Sequence, residues 1–290
     1  MTWQLSWQRK ALYWQLMRMD KPIGIYLLLW PTWWALWLAA EGIPDLGMWL
    51  VFSLGVILMR SAGCVINDFA DRHVDGQVER TKLRPLATGS VSVQEALQLF
   101  GLLLGLAALL LLFLNNQTRL LALVAVVLAS CYPFMKRYTH LPQVVLGAAY
   151  SWGIPMAFMA LQGEVPMYAW LLYLANLCWT VAYDTFYALV DRPDDLQVGI
   201  KSTAILFGAY AQPIIILLQL AFLGLLYLVA EMTAMAWPFY FALIGALLAF
   251  LYQHYLAWQH RQGAFQAFLH NHYVGMLIFI GLFVSLGWYQ

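Results

Sequence analysis

The chain has 290 residues, 63% of them apolar and only 10% charged, with a net charge of +1. Soluble domains carry about 25% charged residues, so the composition excludes a water-soluble one- or two-domain protein, and the near-zero net charge offers no basic surface for nucleic acid. What remains is an integral membrane protein.

The first 21 residues hold Arg9, Lys10, Arg18 and Asp20 without an uninterrupted apolar core or a small-residue cleavage site, so no removable signal peptide is expected. Trp3, Trp7 and Trp14 recur near helical spacing, which suits a short helix lying in the membrane interface. Apolar stretches of about 20 residues cross a bilayer as helices. Nine such spans are predicted, at 22–40, 47–66, 96–114, 119–135, 142–162, 167–188, 208–230, 236–256 and 272–289. Strands of a membrane barrel would alternate in polarity, whereas 101–114 and 214–229 are apolar on every side. The expected fold is an all-α integral membrane bundle.

Within the first span, Trp30, Trp33, Trp34 and Trp37 recur at i, i+3, i+4 and i+7 and are read as packing residues, the alternative being a hydrocarbon groove or cation-stabilising ring faces. Cys64, Cys131 and Cys178 are isolated and read as small packing residues. The six histidines form no metal-binding spacing, and His270 and His272, flanking the last span, are read as interface residues.

Charge segregates with the spans. If nine spans alternate, thirteen of the 15 Lys and Arg lie on one side, with Arg119 in a loop on the other and Arg60 inside a span. The positive-inside rule then puts the N-terminus in the cytoplasm and the C-terminus outside. Loops on the outer side are a handful of residues each, whereas 67–95 and 189–207, on the cytoplasmic side, are long enough to carry chemistry.

Acidic residues concentrate at the same two places. Asp68, Asp71, Asp75 and Glu79 sit at the first loop and Asp184, Asp191, Asp194 and Asp195 at the second, eight of the 14 in the chain. Continued as a helix at about 100° per residue, the first window brings Asn67, Asp68, Asp71 and Asp75 to one face, on the same side as Arg60 and Cys64. Clustered carboxylates repel, so a cation is expected between them. Mg²⁺ takes oxygen ligands and shares its sites among one or two carboxylates, water and substrate phosphates. The alternative is a helix end whose acids pair with Arg72, Arg80 or Lys82, and Arg60 has its own alternative as partner to Asp68 or Asp71.

In the second window Asp191 and Asp195 repeat the spacing of Asp71 and Asp75 at an offset of 120 residues, which suggests two duplicated halves with one acidic motif each within a single membrane domain, 1–290. Pro193 disfavours helical geometry at Arg192, so Asp194 and Asp195 are expected on a loop or on a new turn starting at the proline. Asp184 lies deeper in the sixth span, where an acid is costly and a functional candidate by default, although Tyr183, Thr185 and Tyr187 offer a purely structural network. Two metal-binding clusters, with Arg72, Arg80, Lys82, Arg84, Lys136, Arg137 and Lys201 nearby, suit a diphosphate whose leaving-group charge must be stabilised. That pattern describes ionisation of an allylic diphosphate with a hydrocarbon tail.

The run Asn67-Asp68-Phe69-Ala70-Asp71-Arg72-His73-Val74-Asp75, with Glu79-Arg80-Thr81 and Arg84-Pro85 after it, resembles the signature of the UbiA-type intramembrane prenyltransferases. Tyr183-Asp184-Thr185, Tyr187-Ala188, Asp191-Arg192, Asp194-Asp195 and Gly199-Ile200-Lys201-Ser202 resemble the second signature of its 4-hydroxybenzoate polyprenyltransferase branch. Arg18, Lys21-Pro22-Ile23-Gly24, Trp30-Pro31, Arg60 to Cys64 and Tyr132-Pro133 to Lys136-Arg137 also match, so the likeness extends over nearly the whole chain. It implies about nine helices around a central cavity, a lateral opening for the prenyl tail and a bacterial inner-membrane location. It further implies transfer of a polyprenyl group from its diphosphate to the position ortho to the phenol of 4-hydroxybenzoate, in ubiquinone biosynthesis. On that reading Asn67, Asp68, Asp71, Asp75, Asp191 and Asp195 hold Mg²⁺, and Arg72, Lys136 and Lys201 hold phosphate oxygens. Asp184 and Tyr187 join the substrate site, and Arg60, Arg137 or Arg18 meets the acceptor carboxylate. The rivals are a sibling enzyme for a dihydroxynaphthoate or haem acceptor, and a secondary transporter, whose charged sites would lie near the bilayer midplane.

Overall fold

The structure, a computed structural model, describes residues 4–259 and 261–287; Trp3 and the end of the last expected span, 288–289, lie outside the described residues. No strand occurs among them. The helices are α1 (Lys10–Leu16), α2 (Ile23–Ala39), α3 (Leu46–Asp71), α4 (Val93–Leu110), α5 (Asn116–Met135), α6 (Pro142–Ser151), α7 (Gly153–Gln162), α8 (Met167–Val198), α9 (Thr203–Phe207), α10 (Ala211–Met232), α11 (Trp237–Gln259) and α12 (Arg261–Gly287).

All nine expected spans fall on helices, the fifth on α6 and α7 together. Seven helical stretches are long and apolar enough to cross a membrane. The other two expected spans differ for separate reasons. Helix α2 has 17 residues, and α8, with 32, is diluted by Asn176, Thr180, Asp184 and Thr185. The protein is a multi-pass membrane protein.

Local chemistry sets the boundaries. Asp45 caps α3 through Met48 N–H at 3.1 Å, Ser92 and Glu95 form a reciprocal capping box on α4, and Asn115 caps α5 through Thr118 N–H at 2.8 Å, each satisfying amides that the first turn leaves orphaned. At about 1.5 Å per residue, the 26 residues of α3 and the 32 of α8 outrun a hydrocarbon core of about 30 Å. Their last turns therefore project from the same end of the bundle. Those turns carry Asn67–Asp71 and Asp191–Asp195.

Lipid tails are as apolar as the side chains facing them, so helix association rests on close packing and on interhelical hydrogen bonds. The main core joins Trp34, Phe158, Trp179, Phe186 and Phe222, all fully buried. Of the tryptophan stripe, Trp34 is buried here and Trp30, Trp33 and Trp37 flank Phe279, a packing role throughout. The first and last spans meet along a tight seam. Trp34 donates its indole N–H to Gly275 O at 3.1 Å, and a Cβ at Gly275 would come within 2.6 Å of Trp30. Asn271, next to that seam, accepts from Trp179 Nε1 at 2.7 Å.

Outside the main core, α1 lies on α3 with Tyr13 and Leu16 buried and Trp7 and Trp14 exposed. A second polar feature runs inside the spans of the C-terminal half. Gln219 of α10 donates to Gln253 of α11 at 3.2 Å, Gln253 reaches His270 of α12 at 3.4 Å, and His254 reaches Gln219 at 2.8 Å and Gln212 at 3.3 Å. The three cysteines are free.

Candidate active site

Between the projecting ends of α3 and α8 lies a cavity of about 560 Å³. Asn67, Asp71, Asp75, Asp184, Tyr187, Asp191, Asp195, Arg60, Lys136 and Lys201, all expected at the site, line it; Asp68, Arg72 and Arg137 do not. A second, apolar groove of about 380 Å³ runs among α3, α4, α5, α6 and α7. The two share Arg60, Tyr132 and Tyr150 as a common wall.

The first motif is not one helical face. Helix α3 stops at Asp71, and Asp75 opens a separate 3-10 turn, Asp75–Gln77. The turn is fixed by Val74 N–H to Asp71 O at 2.7 Å and by the Thr81 hydroxyl to Asp75 O at 2.8 Å. Asp68 does not line the cavity but is held behind two cations that do: Arg18 Nη2 donates to both of its oxygens at 2.8 Å, and Arg84 Nη1 lies 3.1 Å from it.

The second motif corrects another expectation. Helix α8 continues through Pro193 to Val198, so Asp191 and Asp195 do share one face, four residues apart. The break comes instead at Gly199, in the left-handed region with φ 72°, which glycine adopts without strain. The chain then turns back, and Lys201 N–H bonds Lys136 O at 3.0 Å. That bond ties the end of α8 to the end of α5.

Every cavity carboxylate of the first motif is neutralised by a cation from another segment. Lys136 of α5 pairs with Asp71, and Arg84 Nη1 with Asp75 at 2.9 Å. Arg80 makes a two-pronged pair with Asp191, Nε to Oδ1 at 2.9 Å and Nη2 to Oδ2 at 2.6 Å, and lies 4.5 Å over the Tyr187 ring. The loop between α3 and α4 thereby straps the two motifs together. Burial by itself would lower the Arg84 pKa; the Asp68 and Asp75 carboxylates outweigh it and hold that pKa above its ordinary value, so the strap stays charged.

The remaining basic residues separate by position. Arg72 donates to Phe69 O at 2.7 Å and lies over the Phe69 ring, and Arg137 donates to Ala70 O. Both are spent on the backbone end of α3. Lys201 Nζ donates to Tyr138 O at 3.2 Å while still facing the cavity. Arg60 pairs with neither Asp68 nor Asp71; its guanidinium lies 5.9 Å from the Tyr150 ring centre. Gly24 gives it room, since a Cβ there would fall within 2.8 Å of Arg60 Cζ.

Sequence reading missed two side chains that help to shape the cavity, Gln143 and Tyr150. Both lie in an apolar-looking span and have no local signature. Arg80 and Arg84 were visible as basic residues next to the first motif, but not as the strap.

The sequence profile of the UbiA prenyltransferase family matches residues 28–289. The chain belongs to that family. Among its relatives, the 4-hydroxybenzoate octaprenyltransferase of Colwellia psychrerythraea is 57% identical over 269 residues, covering 92% of this chain and 94% of that one. The protein of the same name from an Enterobacter species is 54% identical over 286 residues, covering 98% and 99%. The UbiA fold is shared with solved homologues. An apo UbiA homolog from Aeropyrum pernix K1 superposes with a TM-score of 0.80 at 24% identity, over 89% of this chain and 97% of that one. A UbiA homolog from Archaeoglobus fulgidus, solved bound to GPP and Mg²⁺, gives 0.69 at 17% identity, over 95% and 99%.

Proposed function

We propose that this UbiA-family chain transfers a polyprenyl group from polyprenyl diphosphate to carbon 3 of 4-hydroxybenzoate, a step of ubiquinone biosynthesis, a reading supported by its relatives named 4-hydroxybenzoate octaprenyltransferase. The observation that carries the reading is the meeting of two spaces at Arg60: a charged cavity walled by both aspartate motifs and an apolar groove leading away from it. One space suits a diphosphate and the other its hydrocarbon tail.

The donor set fits Mg²⁺. Asn67, Asp71, Asp75, Asp191 and Asp195 offer oxygen only, the ligand type hard divalent cations require. Among the described residues no three acidic, histidine or cysteine side chains converge on one point. Mg²⁺ asks for fewer, one or two carboxylates with water and substrate phosphates completing its shell. Charge points the same way. The cavity lining counts seven cations (Arg18, Lys21, Arg60, Arg80, Arg84, Lys136, Lys201) against six carboxylates (Asp20, Asp71, Asp75, Asp184, Asp191, Asp195), a surplus of one, which is too little for a diphosphate unaided. Bound there, Mg²⁺ would supply charge neutralisation of the leaving group.

On this reading Lys136, Arg80 and Arg84 exchange their carboxylate partners for phosphate oxygens when substrate arrives, and Lys201 joins them. Arg60 meets the acceptor carboxylate: of the three candidates, Arg18 is committed to Asp68 and Arg137 lies outside the cavity. The segregation of Lys and Arg supports a bacterial inner-membrane orientation with the N-terminus and this cavity on the cytoplasmic side. A single membrane domain built from two halves is supported by helix starts that repeat, Leu46 and Met167 lying 121 residues apart and Val93 and Ala211 118 apart.

Product analysis tests the function. Purified protein in detergent with Mg²⁺, a short allylic diphosphate and labelled 4-hydroxybenzoate is expected to yield a 3-prenyl product that disappears with chelator. A product with a naphthoate or haem acceptor instead would keep the site and overturn the acceptor.

A further inference from the structure

Three of the carboxylates that wall the cavity are spoken for by a Lys or Arg: Asp71, Asp75 and Asp191. Asp184, like Asp195 and Asp20, has no such ion pair among the described residues, and of these three it stands apart in position. It lies seven residues before Asp191 on α8, about 10 Å deeper along the helix axis, away from the strap that Arg80 and Arg84 form. Arg60, Tyr150 and Tyr183 share this part of the cavity wall with Asp184 and interact with it, Arg60 being the cation that acts on it most strongly and Arg80 a lesser one.

Its surroundings are ordered by hydrogen bonds between two other helices. Gln143, in the first turn of α6, lines the cavity with Asp184 and lies within reach of its carboxylate. The Gln143 amide cannot turn over freely, because its Oε1 accepts from Thr203 N–H of α9 at 3.1 Å, which leaves Nε2 as the group presented to the acid. Thr203 is held in turn by the Thr185 hydroxyl at 2.8 Å, one residue after Asp184 on α8. A carboxylate carried this deep in a membrane helix is costly unless it is used.

The reaction proposed above requires a proton acceptor at this depth. When the allylic C1–O bond breaks, its electron pair leaves with the diphosphate. A ring π pair of the acceptor then forms the new C–C bond and leaves a cationic ring with hydrogen still on carbon 3. Aromaticity returns when the C3–H pair goes back to the ring, and the proton must go to a base. We propose that the base is Asp184: its carboxylate takes that proton and passes it to water in the cavity, with Gln143 as its positioning residue. The inference rests on the prenyl-transfer reading and adds to it the residue that completes the second half of the reaction. With Arg60 on the acceptor carboxylate, the ring lies between α3 and α8 with Asp184 beside it.

The test compares 4-hydroxybenzoate with the same acid deuterated at carbons 3 and 5, using the full chain with Mg²⁺ and a short allylic diphosphate. Asp184→Asn is expected to lower kcat by about 10²–10⁴-fold, the usual worth of a positioned base, and to raise the isotope effect on kcat by at least about twofold over wild type, because proton removal becomes slow. Asp184→Glu restores at least about tenfold of the loss. Equilibrium binding of labelled 4-hydroxybenzoate to the metal-free protein changes by less than about threefold in Asp184→Asn. Should Asp184→Asn fold poorly, Gln143→Leu carries the same signature at about a tenfold loss. Turnover of Asp184→Asn within about threefold of wild type, or a loss with an unchanged isotope effect, overturns the proposal and assigns the proton to the departing diphosphate. A wild-type protein that makes no 3-prenyl product with either acid overturns the functional reading itself, a result distinct from both.

Discussion

Two regions of this molecule bury polar side chains between its helices, one within the spans and one at their projecting ends, and they do so in opposite ways. In the ladder of Gln212, Gln219, Gln253, His254 and His270, amides and imidazoles bond one another across α10, α11 and α12. Neither the charged cavity nor the apolar groove is lined by them. In the cavity between α3 and α8, each partner of Asp71, Asp75 and Asp191 is a cation that a phosphate could claim. Buried polarity is therefore not by itself a sign of chemistry. Exchangeable partners facing open space are.

The sharpest way to break that comparison is at the aspartates. Asp71→Asn and Asp191→Asn are expected to insert normally and to lose prenyl transfer by about 10³-fold or more, since each removes a charge aimed at the reacting end; near-normal product yield from both would refute the site. Metal removal comes next. Chelation should abolish product formation in wild type and leave the thermal unfolding of the ladder side unmoved, with Mg²⁺ restoring activity. At the junction of the two spaces, Arg60→Ala should raise the KM for 4-hydroxybenzoate about 10–100-fold while the KM for the diphosphate stays level, the loss of a charge-assisted contact to one substrate only. Gly24→Ala should give a milder version of that effect, about threefold to tenfold, because its methyl displaces the Arg60 guanidinium without removing it. The smallest change belongs to the ladder: Gln253→Leu should cost about 1 kcal/mol of stability, the scale of hydrogen bonds between membrane helices, and leave kcat within about twofold.

The span pattern was legible because an apolar run of about 20 residues has few other uses, and the two acidic windows stood out against so few charges elsewhere. What the sequence left open depends on partners distant along the chain. Asp68 reads like Asp71 in the motif, yet it is paired with Arg18, fifty residues earlier, and does not line the cavity. The helix-face reading carried Asp75 too far along α3, because nothing local announces the stop at Asp71 that the Thr81 and Arg84 contacts stabilise. At Pro193 the local rule was overridden in the other direction. The helix persists there, and Lys201 N–H to Lys136 O anchors the turn that follows it. Gln143 sits among apolar neighbours and gains its role only when α9 meets α6.

The seam between Trp30, Trp34 and Gly275 joins residues some 240 positions apart, and this bears on how the protein is made. The first span leaves the ribosome long before the last one exists, so the tryptophan face of α2 must wait in lipid, or against a chaperone, until translation is nearly complete. A chain stopped before α12 would have both aspartate motifs and still lack the helix that packs on the tryptophan face of α2.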